Sequence, residues 1–239
     1  MPSVFRAAAI GLLIASPATA WEFDGAEISL SAGHYFAAAG GATLQTGSAA
    51  AQAQFGLGED VFVQLDTAAE GLHFLGSTEV LGAASLHLGY AVSPTTAVGA
   101  FALYETWPGL GQSYGAGAEI AFASGPFEVE AMTGLRGVVS VPISAAVVRV
   151  KGYYRLSDSF SLAAGASYFN TSLLGDFGQL TAGLRYDLSE DLSLELGYAR
   201  TASLAGGPAA NGIGLSLTKV IGSGTTFGHR DLLSSVGGW

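Results

Sequence analysis

The stretch LRYDLSEDLSLELGY, residues 184–198, shows the pattern that decides the fold. Leucines and tyrosines occupy every second position on both sides of Ser189-Glu190-Asp191, and small or charged residues fill most positions between them. Successive side chains of a β-strand point to opposite faces, so this alternation predicts two strands joined by a tight turn. The hairpin then has one apolar face and one polar face.

The same two-residue period recurs along the chain and predicts about twelve strands. The second strand has the weakest alternation, because alanines on both faces give little contrast. The expected ranges are 26–36, 43–57, 61–69, 80–92, 96–106, 113–123, 127–138, 143–154, 159–170, 177–188, 191–201 and 211–221.

Tight turns and looser loops alternate between these strands. Sequences such as Gly58-Glu59-Asp60 favour tight turns, whereas 106–112, 170–176 and 201–212 are longer and rich in glycine. The tight turns are expected at one end and the looser loops at the other. Because a Greek-key sandwich would mix hairpins with long crossovers, this regularity predicts an all-β, up-and-down antiparallel barrel of about twelve strands, within a range of roughly 8 to 14.

The first 20 residues, MPSVFRAAAIGLLIASPATA, are expected to be a cleaved secretory signal peptide. Arg6 precedes an apolar run, and Ala18-Thr19-Ala20 supplies the small residues of a cleavage site before Trp21. A membrane anchor is the weaker interpretation, because the apolar run is about half of the roughly 20 residues needed to span a bilayer.

The composition indicates that water is not the main neighbour of the mature chain. Only 12% of the 239 residues are charged, and 35 are glycine. Loss of Arg6 with the leader leaves eight of the nine basic residues and all nineteen acidic ones, a net charge of −11, so nucleic acid is not an expected partner. The absence of cysteine excludes disulfides and thiolate metal sites.

The apolar face is therefore expected to point outward, towards lipid. A soluble barrel would instead expose a charge-poor surface of glycine, serine, alanine and threonine to water. Tyrosines near both strand ends lie on the apolar parity, as in the aromatic girdles of transmembrane barrels. The predicted girdle residues are Tyr90, Tyr154 and Tyr186 near the tight turns, and Tyr104, Tyr114, Tyr168 and Tyr198 at the opposite ends.

The leader ending SPATA, hairpins such as YRLSDSFSLAAGASYF (154–169) and the terminal aromatic Trp239 make the chain resemble the bacterial outer-membrane β-barrel superfamily of porins and OmpA-like barrels. The resemblance covers residues 21–221. It implies a location in a Gram-negative outer membrane, contact with outer-membrane lipid and lipopolysaccharide, help from barrel-assembly machinery during biogenesis, and no cofactor. It does not indicate an oligomeric state.

The C-terminal residues 222–239 depart from the pattern of that superfamily, whose last strand commonly ends at an aromatic residue with apolar residues at every second position before it. Ser235 and Gly237 interrupt such a pattern here. These residues are therefore a poor final strand, a periplasmic extension or a segment that enters the lumen.

Two sequence features bear on catalysis. GQSYG, residues 111–115, fits the nucleophile elbow of serine hydrolases, but an alternating strand follows where the elbow needs a helix, and only His229 remains downstream as a base. His34 lies towards the loop end of the first strand, where lipid A deacylases and phospholipases of the superfamily use a histidine with a serine. No serine is fixed as its partner, and His87 is expected to be a polar lining residue.

Ionised side chains on the polar face are expected to line the lumen, because an Arg or Lys facing the bilayer midplane costs about 2–4 kcal/mol. They either pair across neighbouring strands within a closed interior, or they set a transverse field across a water-filled pore. Small lining residues on twelve strands favour a narrow, passive, porin-like channel for small hydrophilic solutes. The alternatives are a non-conducting structural or surface barrel and an outer-membrane lipid-modifying hydrolase. The predicted lining residues are Glu119, Glu128, Glu130, Arg136, Arg149, Lys151, Arg185 and Glu195.

Overall fold

The computed structural model describes residues 21–37, 43–107, 111–139, 144–172, 175–207 and 209–228. Within these residues twelve antiparallel strands form a closed barrel, in which each strand pairs with its neighbours in sequence. The strands are β1 (Glu22–Ala37), β2 (Thr43–Gly56), β3 (Val61–Phe74), β4 (Ser77–Ser93), β5 (Thr96–Trp107), β6 (Gly111–Ser124), β7 (Phe127–Val138), β8 (Ser144–Arg155), β9 (Phe160–Thr171), β10 (Gly175–Ser189), β11 (Leu192–Ser203) and β12 (Ala209–Gly222).

The barrel is closed by a seam between β1 and β12. The seam runs without a register shift from Gly25 opposite Gly222 to Ala37 opposite Ala210. Every strand therefore has two hydrogen-bonded neighbours, and no edge is left open. The predicted all-β, twelve-stranded, up-and-down architecture is confirmed. Among the described residues, no helix is long and apolar enough to cross a membrane.

The connections define two ends of the barrel. The turn end carries the connections 57–60, 94–95, 125–126, 156–159 and 190–191, together with the start of β1 and the end of β12. The opposite end is called the loop end. Strand lengths range from 12 residues in β7, β8 and β9 to 16 in β1 and 17 in β4.

The third and fourth strands differ from the sequence prediction. They were expected to stop at 69 and to start at 80, with a loose loop between them, but β3 and β4 continue to a two-residue turn at Leu75-Gly76. Both turn residues have positive φ, 50° and 80°, as in the type I′ turn that matches strand twist. Outward-facing Gly71 and His73 are not apolar, which hides the alternation. One tight turn therefore lies at the loop end.

Large apolar side chains cover the outer surface of the barrel. Leu86, Leu88, Leu196 and many residues of the same parity are exposed. A continuous apolar surface of this extent requires apolar surroundings. Of the seven tyrosines predicted as a girdle, six are exposed on this outer surface, and the Tyr104 ring packs 5.2 Å from the Tyr114 ring.

Candidate functional site in the barrel lumen

A cavity of about 880 Å³ lies inside the barrel. Small polar side chains of β1 and β2, among them Ser29, Ser31 and Ser48, line one side of it, and the Ser31 and Ser48 hydroxyls are 2.7 Å apart. The cavity extends from Asp24 at the turn end to Tyr35, two residues before the end of β1. These side chains face inward because alternate residues of each strand point into the barrel.

Acidic side chains predominate in the cavity wall. Eight carboxylates line it against three basic groups. The acidic residues are Asp24, Glu27, Glu59, Asp60, Glu70, Glu128, Glu130 and Glu195, and the basic residues are Arg149, Lys151 and Arg185. Six of the eight predicted lining residues are therefore found in this wall, since Glu119 and Arg136 lie elsewhere in the lumen.

Ion pairs neutralise two of the three basic groups in this wall. The Lys151 ammonium of β8 lies 3.2 Å from the Glu195 carboxylate of β11, and the Tyr153 hydroxyl donates to the same carboxylate at 2.9 Å. Arg185 donates to Asp187 at 3.0 Å. Because β8 and β11 are not neighbours, the Lys151–Glu195 pair joins two separate parts of the wall across the interior.

Arg136 belongs to a buried cluster on the loop-end half of β5, β6 and β7. Its guanidinium donates to both carboxylate oxygens of Glu105 at 3.0 Å, and Ser113 donates to Glu105 at 2.8 Å. The Ser113 hydroxyl of the GQSYG motif therefore lies buried within strand β6, whereas a nucleophile elbow would raise it on a sharp turn. The motif therefore lacks the geometry of a nucleophile elbow.

Glu119 belongs to a second buried cluster, centred on His87. His87 Nδ1 is 2.7 Å from Glu119, Nε2 is 2.8 Å from Asp66, and the imidazole is fully buried. With both carboxylates ionised and therefore only accepting, both ring nitrogens donate and the ring carries the charge of an imidazolium. The cluster joins β3, β4 and β6 across the interior.

Ser85 completes an arrangement that resembles a catalytic triad in composition. Its hydroxyl is 3.1 Å from His87 Nε2, and Glu119 lies at the other ring nitrogen. A serine nucleophile needs an imidazole nitrogen that accepts its proton. Here Asp66 occupies that nitrogen and also accepts the serine hydroxyl at 3.1 Å. The four groups therefore stabilise one another and leave the serine unactivated.

Apolar side chains fill part of the lumen, which the alternation did not predict. Phe101, Leu103, Met132, Val147 and Phe169 form a buried cluster on β5, β7, β8 and β9. On β5 both faces are apolar, so the period-two pattern does not distinguish the inner face. The lumen is packed on this side, whereas small side chains line the cavity beside β12, β1 and β2.

The described part of the C-terminal tail lies inside the barrel. Residues 223–228 leave β12 at the turn end, and the Phe227 ring is 1% exposed. It stacks on His87 with 6.1 Å between ring centroids and packs 5.6 Å from Phe62. The remaining tail, with His229 and Trp239, and the leader 1–20 lie outside the described residues.

His34 faces outward near the loop end of β1. Its cross-strand partners are Gln45 on β2 and Ile213 on β12, and its ring lies 6.3 Å from Phe36. Neither cross-strand partner is a serine. Within the part of the chain that the structure describes, no group of histidine, aspartate and glutamate is arranged to hold a metal ion.

The fold of this barrel is similar to that of solved outer-membrane channels. No family model and no curated protein matches the chain. Among solved structures, an outer-membrane channel from Pseudomonas putida F1 matches with a TM-score of 0.64 and 12% identity, over 86% of this chain and 99% of that one. The fold is that of the outer-membrane β-barrel channels.

Two further outer-membrane barrels support the same assignment of fold. The NanC porin matches with a TM-score of 0.57 and 9% identity, over 79% of this chain and 98% of that one. The CymD monoaromatic hydrocarbon channel matches with a TM-score of 0.53 and 12% identity, over 85% and 90% of the two chains.

Proposed function

We propose that this outer-membrane barrel is a passive, porin-like channel for small hydrophilic solutes. The observation that carries the proposal is the polar cavity, which follows β1 and β2 from Asp24 at the turn end to Tyr35 near the loop end. Serine, threonine and glutamine side chains along this route offer hydrogen bonds to water and to polar solutes. The likeness to channels and porins in fold supports the same function.

The outer surface supports a bilayer location. Apolar side chains cover the middle of the barrel, and the seven tyrosines lie towards the strand ends on the same surface. Tyrosine is favoured where acyl chains give way to headgroups. Outer-membrane lipid and lipopolysaccharide are then the neighbours of this surface, with the barrel-assembly machinery acting during insertion.

The charges of the cavity favour cations over anions. Eight carboxylates face three basic groups, and two of the basic groups, Lys151 and Arg185, are paired with carboxylates. A charged wall inside a low-dielectric barrel raises the local concentration of counter-ions. We therefore expect a cation-preferring pore, with Asp24, Glu59 and Asp60 forming an acidic entrance at the turn end.

The arrangement favours transport over catalysis. The Ser85 hydroxyl is buried and donates to Asp66, and the Ser113 hydroxyl is buried and donates to Glu105. His34 has no serine as a cross-strand partner. A lipid hydrolase would need an accessible nucleophile beside a base.

Planar-bilayer recording tests the channel directly. The mature chain, refolded in detergent and verified by a heat-dependent gel shift, should give discrete single-channel steps and a reversal potential of cationic sign in a KCl gradient. The apolar cluster of the lumen favours the rival function, a non-conducting barrel. Silence from folded protein would establish that rival, and hydrolysis of phospholipid or lipid A that His34→Ala abolishes would establish an enzyme.

A further inference from the structure

The C-terminal segment is held in the lumen through its main chain. The N–H groups of residues 225, 226, 227 and 228 donate in order to Glu27 at 3.0 Å, Gln54 at 2.9 Å, Gln64 at 3.1 Å and Glu130 at 3.0 Å. The Phe227 carbonyl accepts from Gln64 at 2.7 Å and from Gln52 at 3.2 Å. Side chains of four strands thus bind consecutive peptide groups.

The Gln64 side chain binds Phe227 as a neighbouring strand would. Its amide oxygen accepts from the Phe227 N–H while its amide nitrogen donates to the Phe227 carbonyl. Gln64 is fully buried, and Asp66 accepts a second hydrogen bond from the same amide nitrogen at 2.8 Å, which fixes its orientation. Contacts of this kind recognise a peptide backbone whatever its side chains.

One pocket selects a side chain. The Phe227 ring lies between Phe62 and the His87 imidazolium. A Cβ at Gly99 would lie 2.7 Å from that ring, so the glycine provides the space that the ring occupies. The Asp66–His87–Glu119 cluster fixes one face of the pocket.

Two glycines direct the chain into this position. Gly222 and Gly224 have φ of 64° and 78°, in the left-handed region that glycine favours. Ser223 between them donates from its hydroxyl to the Asp24 carbonyl at 2.7 Å. The chain therefore reverses directly after β12 and enters the lumen, where 223 and 225–228 line the cavity.

We infer that the lumen contains a binding site for a peptide segment with an aromatic side chain, and that residues 223–228 are its tethered occupant. The segment runs from the β1–β12 seam to Glu130 on β7 and so narrows the cavity near the turn end. Release of the segment widens the route. The effect on conductance rests on the proposed channel function, whereas the binding site does not.

Thiol labelling measures release of the segment in the full-length mature protein. Thr226→Cys supplies a single thiol in a chain without cysteine, at a residue whose hydrogen bond to Gln54 is made by the main chain. Phe227→Ala in this background removes the aromatic anchor and should raise the released-to-bound ratio at least about a hundredfold, from the lower end of the usual cost of truncating a buried phenylalanine. The labelling rate by a charged thiol reagent should rise accordingly.

The vacated site is tested with a synthetic peptide. A fluorescent, end-blocked peptide Ser-Gly-Thr-Thr-Phe-Gly should bind the Phe227→Ala barrel saturably, as measured by anisotropy in detergent, and the same peptide with alanine for phenylalanine should not. In bilayers, Phe227→Ala should conduct more than the wild type, and the phenylalanine peptide should reduce the current. Thr226→Ala, which keeps the backbone contact, is the control and should behave as the wild type.

Equal labelling rates with and without Phe227, or no preference for the phenylalanine peptide, would overturn the inferred site. Faster labelling and selective peptide binding by a barrel that never conducts would leave the site established and remove the channel function. A heat-dependent gel shift for every variant confirms that the comparison is made on folded barrels.

Discussion

Replacing His87 by leucine should destabilise the barrel by about 3–5 kcal/mol, the usual cost of breaking a buried ion pair by removing one partner. The side chain is fully buried and lies 2.8 Å from Asp66 and 2.7 Å from Glu119. Without the imidazolium, two buried carboxylates lose their shared cation. Asp66 still accepts hydrogen bonds from Gln64 and Ser85, so the expected loss of stability lies near the lower end of this range.

The free energy of unfolding is measured by urea titration of the refolded protein in detergent, followed by circular dichroism and evaluated by linear extrapolation. His73→Leu is the matched control, because His73 is exposed and makes one hydrogen bond to Thr78, so its loss should stay within about 0.5 kcal/mol. Adding Glu119→Gln to His87→Leu should recover about 1 kcal/mol or more, as coupled neighbours do. A loss below about 1 kcal/mol for His87→Leu would refute the charged cluster.

Three further perturbations probe the entrance, the aromatic pocket and an exterior ion pair. Glu59→Gln with Asp60→Asn should lower the cation-to-anion permeability ratio, measured by reversal potential, because both carboxylates line the cavity mouth. Gly99→Ala should cost about 1–3 kcal/mol in urea unfolding, because the new methyl group overlaps the Phe227 ring. In Asp191→Asn the free energy of unfolding should decrease less steeply with falling pH than in the wild type, since hydrogen bonds from Lys219 and Ser189 lower the pKa of Asp191. This carboxylate stabilises the fold above its unfolded pKa, and the contribution is lost as pH falls through the lower folded pKa.

The first two have a control on the same barrel, and the third has an outcome that would contradict it. Asp158→Asn with Glu190→Gln removes two exposed charges outside the cavity wall and should leave the permeability ratio unchanged; an equal change would mean that overall charge sets selectivity. Gly137→Ala adds a methyl group with no atom within 4 Å, and a cost equal to that of Gly99→Ala would refute the packing argument. If the free energy of unfolding of Asp191→Asn fell with decreasing pH as steeply as that of the wild type, the Asp191–Lys219 pair would contribute nothing to stability.

The outer face of the barrel was predictable from sequence because lipid imposes one requirement on every strand. Apolar residues at alternate positions, as in 184–198, specify strand number, closure and the side of each residue. The same rule fixed the inward direction of Glu130, Lys151 and Glu195, which line the cavity. The rule predicted β3 and β4 too short at the loop end, because the outward-facing residues there need not be apolar.

The interior was less predictable, since partners there come from strands far apart in sequence. Asp66, His87 and Glu119 each have the inward parity, but their contact depends on strand stagger across β3, β4 and β6. The pairing of Lys151 with Glu195 crosses two intervening strands. Gly222 and Gly224, which have positive φ, are the local signal within the described tail that the chain reverses after β12.

The uninterrupted β1–β12 seam has a consequence for how the molecule is made. Its two strands are the first and the last of the described strands along the chain, and their pairing has the greatest sequence separation among the described strand pairs. Until the twelfth strand arrives, both flanks of the sheet offer unpaired N–H and C=O groups to other chains. A nascent chain therefore needs protection from pairing with its copies until the barrel closes.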